Sequence, residues 1–179
     1  MAKHLEGLVA APCAPMHADG SLNLDVIGRY AQFLAATGCS GGFVNGSTGE
    51  SLSLTVSERR EIAARWAAAA PKGFAVVVHV GTPCLADSQE LAAHAQEIRA
   101  AAIGFMAPCF FKPATVDDLV ACCVEVAAAA PRLPFYYYHI PSLTGVGLPM
   151  ADFLRAASDR IPNLVGLKYT FEDLADFGE

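Results

Sequence analysis

Two periodicities alternate along the chain. Short runs of nearly continuous apolar residues predict strands at Leu5–Ala11, Gly42–Asn45, Phe74–Val80, Ile103–Pro108, Pro134–Ile140 and Leu164–Thr170. Between them, amphipathic stretches predict helices at Leu24–Thr37, Thr55–Ala70, Ser88–Ala100, Val116–Ala130 and Met150–Asp159. Ser57 with Glu61, and Ser88 with Glu90, put hydroxyls and carboxylates where first turns need acceptors for free N–H groups. Pro71 and Pro131 stand where two helices should stop.

The strand-like runs do not alternate. Phe74-Ala75-Val76-Val77-Val78 is apolar throughout, as in a parallel strand covered on both faces. The unit recurs about every 30 residues, the size of a βαβ unit. A doubly wound sheet and a (β/α)8 barrel both fit this rhythm. No GxGxxG or P-loop follows a strand, which disfavours a nucleotide-binding sheet. The expectation is an α/β fold, an incomplete (β/α)8 TIM barrel. Six strands and five complete helices fall short of the eight of each, in roughly 250 residues, that a barrel needs. Residues 1–179 therefore read as the amino-terminal part of a single barrel domain, ending just inside a sixth helix.

Composition narrows the classes of function. Hydrophobic residues make up 54% and charged residues 17%, which excludes a disordered chain. The net charge is −6 with no basic run, so neither nucleic acid nor an anionic membrane is an expected partner. Glu6, Gly7 and Pro12 interrupt any apolar core between Met1 and Met16, and no stretch is long enough to span a bilayer. Six cysteines form no CxxC pair and the five histidines are scattered, so buried reduced thiols and no metal are expected. A reducing cytosol suits this composition.

Candidate chemistry collects at the carboxyl ends of the strands, where barrel sites form. Gly46-Ser47-Thr48-Gly49-Glu50 can expose backbone N–H groups beside two hydroxyls, a cradle for a carboxylate, or can be a plain glycine-rich turn. In Phe135-Tyr136-Tyr137-Tyr138-His139, Tyr136 and Tyr138 share one face and Tyr137 takes the other. Tyr138 lies nearest the carboxyl end, and His139 reads as structural. Lys168 sits inside Leu164-Val165-Gly166-Leu167-Lys168-Tyr169-Thr170. A buried ammonium is costly. Either its stem is buried and its head finds a partner, or desolvation lowers its pKa and the neutral amine attacks a ketone.

Taken in order, the Gly-Ser-Thr-Gly-Glu turn, the segment Tyr138-His139-Ile140-Pro141-Ser142-Leu143-Thr144-Gly145 and the strand Gly166-Leu167-Lys168-Tyr169-Thr170 resemble one family. It is the N-acetylneuraminate lyase and dihydrodipicolinate synthase superfamily of (β/α)8 aldolases, and within it the animal-type lyase branch. The likeness runs from Gly7 to Gly178 and takes in Phe43-Val44-Asn45, Ser57-Glu58-Arg59-Arg60 and His79-Val80-Gly81. It implies that Lys168 forms an imine with the C2 ketone of the substrate and that Tyr138 relays the proton of the hydroxyl at the bond being broken. It implies further that Ser47 and Thr48 hold the pyruvyl carboxylate, and that Thr170 adds a substrate-binding hydroxyl. The activity implied is cleavage of N-acetylneuraminate (sialic acid) to N-acetylmannosamine and pyruvate. No cofactor is implied, and the full-length protein would be a cytoplasmic homotetramer. Leu143 stands where synthases usually carry an arginine, and Phe111 where they commonly carry a tyrosine lent to a neighbouring subunit; both favour the lyase. The other readings are a different pyruvate-dependent aldolase or synthase of the superfamily, and a truncated, non-catalytic product.

Overall fold

A computed structural model describes residues 4–179, so Met1–Lys3, the start of the segment read for a secretory leader, lie outside the described residues. Six parallel strands lie in sequence order, each bonded to its chain neighbours: β1 (Leu8–Ala10), β2 (Cys39–Val44), β3 (Ala75–His79), β4 (Ala102–Phe105), β5 (Phe135–His139) and β6 (Leu164–Tyr169). The helices are α1 (Ile27–Ala36), α2 (Val56–Ala69), α3 (Leu85–Glu97), α4 (Val116–Ala128), α5 (Pro141–Thr144), α6 (Met150–Ala157) and α7 (Leu174–Gly178). This is the incomplete barrel that the apolar runs predict, with β1 and β6 as its outer strands. Five helices are long, as expected; α5 is a single turn after β5, and α7 is a short helix after β6.

Strand alternation sorts the core into two layers. Ile103, Phe105, Phe135, Tyr137 and their like face the helices and join Ile62, Trp66, Leu91, Leu119 and Phe153 in the larger cluster. Phe43, Val77, Ala102, Met106, Tyr138 and Ile140 form a second cluster on the interior of the sheet. A Cβ on Gly104 would collide with the Phe43 ring, so glycine there lets that ring lie across the interior.

Three local expectations need correction. Ser57 bonds Glu61 within the helix at 3.3 Å, while Thr55 caps α2 in a reciprocal box with Glu58. Helix α3 begins at Leu85, so Ser88 is inside it, buried, with Oγ accepting from Thr82 N–H at 3.0 Å. Of the cysteines only Cys123 is buried; Cys13 and Cys84 are exposed, because their segments run over the surface rather than in the core. Among the described residues no helix is long and apolar enough to cross a membrane.

Candidate active site

Three strand ends meet at one rim of the sheet. From β2 the chain enters the Gly46–Glu50 turn through Asn45, which adopts a left-handed φ of 57°. The turn is closed by Glu50 N–H on the Ser47 carbonyl at 3.1 Å and Ser51 N–H on the Gly46 carbonyl at 3.3 Å. Ser47 and Thr48 are exposed at its tip. A Cβ on Gly46 would lie 2.9 Å from the Phe43 ring, so the tight approach of the turn requires glycine.

Tyr138, on the interior face of β5, is 3% exposed, and its hydroxyl lies 3.0 Å from Ser47 Oγ. Phe43 meets the Tyr138 ring edge-on at 5.4 Å between centroids, and His79 does so at 5.8 Å. Lys168 is directly opposite Tyr138 in the β5–β6 register. Its Nζ sits 3.7 Å from the centroid of the Tyr138 ring, 5.4 Å from that of Phe43, and donates to Thr170 Oγ1 at 3.0 Å. None of the ion pairs among the described residues includes it. Lys168 as a residue is half-buried, and its bond to Thr170 is exposed, because β6 is an outer strand of this sheet.

The structure thus joins Thr170, Lys168, Tyr138 and Ser47 in one continuous chain of contacts. Thr48 is next to them in sequence but makes no side-chain hydrogen bond among the described residues. Such an array can present an amine to a carbonyl, a phenol to a proton in transit, and hydroxyls to an anion. Among the described residues no group of three or more His, Cys, Asp or Glu side chains is arranged to hold a metal ion.

The other two tyrosines divide as the strand period requires. The Tyr136 hydroxyl accepts from Leu5 N–H at 3.0 Å, at the opposite end of the interior. Tyr137 is buried against Phe153, with ring centroids 4.7 Å apart, and burial raises its pKa far above the ordinary phenol value. His139 shares that outer face, 5.0 Å from the Tyr169 ring, and burial lowers its pKa against the opposing pull of Asp176. It packs among aromatic rings on that face, away from the Tyr138–Ser47 contact.

Sequence reasoning quoted Asn45, Arg59 and His79 within matching stretches but gave them no part. They lie directly beneath the Gly46–Glu50 turn and bond to one another. A usable signal was present. An arginine in the first turn of a helix opposes the helix dipole, so it calls for a specific acceptor.

Known proteins place the chain in a family. The chain is 51% identical to human N-acetylneuraminate lyase over an alignment of 179 positions that covers 99% of this chain and 56% of that protein. It superimposes on the Proteus mirabilis N-acetylneuraminate lyase with a TM-score of 0.94 at 44% identity, covering 98% of this chain and 59% of the other. A catalytic lysine mutant of the Ruminococcus gnavus sialic acid aldolase matches with a TM-score of 0.88 at 26% identity, over 95% of this chain and 55% of that one. The chain therefore spans a little over half the length of the relatives it matches. The dihydrodipicolinate synthetase family model matches residues 4–178, and the chain belongs to that family.

Proposed function

We propose that this protein is a class I aldolase that cleaves N-acetylneuraminate to N-acetylmannosamine and pyruvate through a Schiff base on Lys168. The observation that carries the reading is the Lys168 amine held over the Tyr138 ring, with the hydroxyl of the same tyrosine on Ser47. The likeness to N-acetylneuraminate lyases, at 51% identity to the human protein, supports the substrate. Leu143 and Phe111, in place of an arginine and a tyrosine, support the lyase over the synthase.

Each residue type answers a need of the reaction. Retro-aldol cleavage leaves an electron pair on the carbon beside a carbonyl. The Lys168 amine adds to the C2 ketone and expels water, giving a protonated imine. When the bond between C3 and C4 breaks, that imine takes the electron pair as an enamine. The proton of the C4 hydroxyl must leave as the aldehyde forms; Tyr138 would take it while its own phenolic proton moves through Ser47 to solvent, which later returns one to the enamine carbon. Protonation of the enamine and hydrolysis of the imine release pyruvate. Ser47, Thr48 and the free N–H groups of their turn would hold the carboxylate. The Thr170 hydroxyl, already on the Lys168 amine, would orient it and then meet the substrate.

We read residues 1–179 as the first part of one barrel domain, on the ground that relatives are nearly twice as long. Further strand–helix units would supply contacts to the sugar chain, and the assembled protein would be a cytoplasmic homotetramer. The test of the central reading is reduction with borohydride in the presence of pyruvate, followed by peptide mass mapping. One adduct, at Lys168, is expected. An adduct on Lys72 or Lys112, or none, sinks the assignment.

A further inference from the structure

Arg59 has the wrong surroundings for an ordinary arginine. It is 1% exposed, in the first turn of α2, and no ion pair among the described residues includes it. Asp87 favours its charge only through space, and burial lowers its pKa to about 10, which leaves it a cation at neutral pH. A buried cation needs acceptors. Arg59 finds them at the carboxyl end of β3, where strand carbonyls run out of ladder partners. Its guanidinium donates to the His79 carbonyl at 2.8 Å and to the Gly81 carbonyl at 3.1 Å.

These bonds belong to a closed ring. Asn45 Nδ2 donates to the Arg59 carbonyl at 2.8 Å. The Arg59 guanidinium donates to the His79 carbonyl, and His79 Nδ1 lies 2.9 Å from the Asn45 carbonyl. A carbonyl can only accept, so this short contact calls for the proton on Nδ1, the Nδ1–H tautomer, over the longer 3.4 Å approach of the Arg59 guanidinium to the same nitrogen. Burial and the Arg59 charge together push the His79 pKa down to about 3, which keeps that ring neutral. The ring joins three elements that are far apart in sequence: the end of β2, the start of α2 and the end of β3. It grips Asn45 by side chain and by carbonyl, immediately before the turn that carries Ser47 and Thr48. His79 then packs edge-on against Tyr138, so both partners of the Ser47–Tyr138 contact rest on the same support.

We propose that Arg59, through its ring with Asn45 and His79, is a positioning residue for recognition of the substrate carboxylate, holding the Ser47–Thr48 turn against Tyr138. This rests on the aldolase reading above. None of the three ring residues needs to touch substrate; Arg59 acts through Asn45 and His79 on the turn.

The test compares two ketones in borohydride trapping by the purified protein: pyruvate, and acetone, which has no carboxylate. His79→Phe keeps an aromatic ring against Phe43 and Tyr138 but removes the bond to Asn45. Asn45→Gly keeps the left-handed backbone but removes the bond to Arg59. Losing one such bond should raise the pyruvate concentration for half-maximal trapping about tenfold, while acetone trapping falls by less than about twofold. Equal losses for both ketones mean general damage and overturn the proposal; so does no loss for either. If the unmodified protein traps acetone at Lys168 but not pyruvate in preference to it, the carboxylate turn is misread and the proposal falls. If it traps neither, the aldolase reading falls first. A measurement on the unmodified protein stands independently of whether the variants fold. Imidazole nitrogen shifts should report His79 as the neutral Nδ1–H form down to pH 5. The opposite tautomer, or a titration near the ordinary histidine value of about 6.5, would break the ring.

Discussion

The two faces of β5 use similar side chains for opposite ends. On the helix side, Tyr137 packs at a tilt against Phe153 and His139 lies against Tyr169 and Phe171. The rings are sealed there, and the buried Nδ1 of His139 has no partner among the described residues. On the interior side, Tyr138 is just as buried, yet its hydroxyl reaches Ser47 at the exposed turn, and Lys168 beside it reaches Thr170. On β5 the polar atoms of the first face, Tyr137 Oη and His139 Nδ1, end in packing. On the second, Tyr138 joins a line through Ser47, Lys168 and Thr170 that opens to solvent at both ends, although the neighbouring His79 Nε2 is buried without a partner among the described residues. On the proposed function, burial alone does not mark a reactive residue; a buried group connected to an exposed one does.

The strongest way to break this contrast is to remove the amine. Lys168→Met retains the length of the side chain and its packing on Tyr138, so the fold should persist. Pyruvate trapping should disappear entirely, and a residual adduct on another lysine would put the nucleophile elsewhere. Next comes the phenol. Tyr138→Phe should lower N-acetylneuraminate cleavage, read as pyruvate release, at least about 100-fold, the lower end for acid–base catalysis. Imine trapping should survive the change. Tyr136→Phe and Tyr137→Phe should cost far less. Similar losses from all three would show packing mistaken for chemistry.

The opposite face should respond in stability instead. Phe153 is fully buried against Tyr137, and Phe153→Ala removes a ring from a tightly packed layer. Such a change costs about 3–5 kcal/mol. Denaturant unfolding should show that loss, while the folded fraction still traps pyruvate at Lys168. A selective loss of trapping at unchanged stability would erase the distinction between the faces.

What the sequence made legible follows from the range of each signal. Apolar runs such as Phe74–Val80 found the strands, because burial on both faces leaves a continuous local pattern. The start of β2 escaped it. Cys39-Ser40-Gly41 is weakly apolar, and glycine is required at Gly41 because a Cβ would sit 2.5 Å from the Ala75 carbonyl. That neighbour is a strand away in the fold. The cap of α2 was legible in principle as Thr55 with Glu58, but a serine two residues on gave a competing pattern. Ser47, Thr48, Tyr138, Lys168 and Thr170 were named as candidates through strand parity and family likeness, and all but Thr48 are linked by direct contacts. The ring of Asn45, Arg59 and His79 was not reached. Its bonds span 14, 20 and 34 residues, and no local period encodes them.

The two buried histidines sharpen the comparison in the smallest and most specific way. His79 on the interior face is held down to a pKa of about 3 by burial and by Arg59. His139 on the helix face is also lowered by burial, but Asp176 pulls the other way. In the unfolded chain both take up a proton near pH 6.5. Between that value and its folded pKa, His79 binds a proton only when the chain unfolds. The unfolded state therefore gains protons as pH falls, and stability must drop from about pH 6.5 downward. One such group contributes a slope of at most about 1.4 kcal/mol per pH unit. Unfolding free energies measured from pH 7 to pH 5, above the range where carboxylates dominate, should show this decline. His79→Phe should flatten it even though the variant is less stable overall, because phenylalanine takes no proton in either state. His139→Phe should flatten it less, since the neighbouring carboxylate already offsets part of the burial. A slope unchanged in His79→Phe would mean that His79 is protonated in the folded protein. The Asn45 carbonyl would then be accepting from a cation, and Arg59 would share its pocket with a second positive charge.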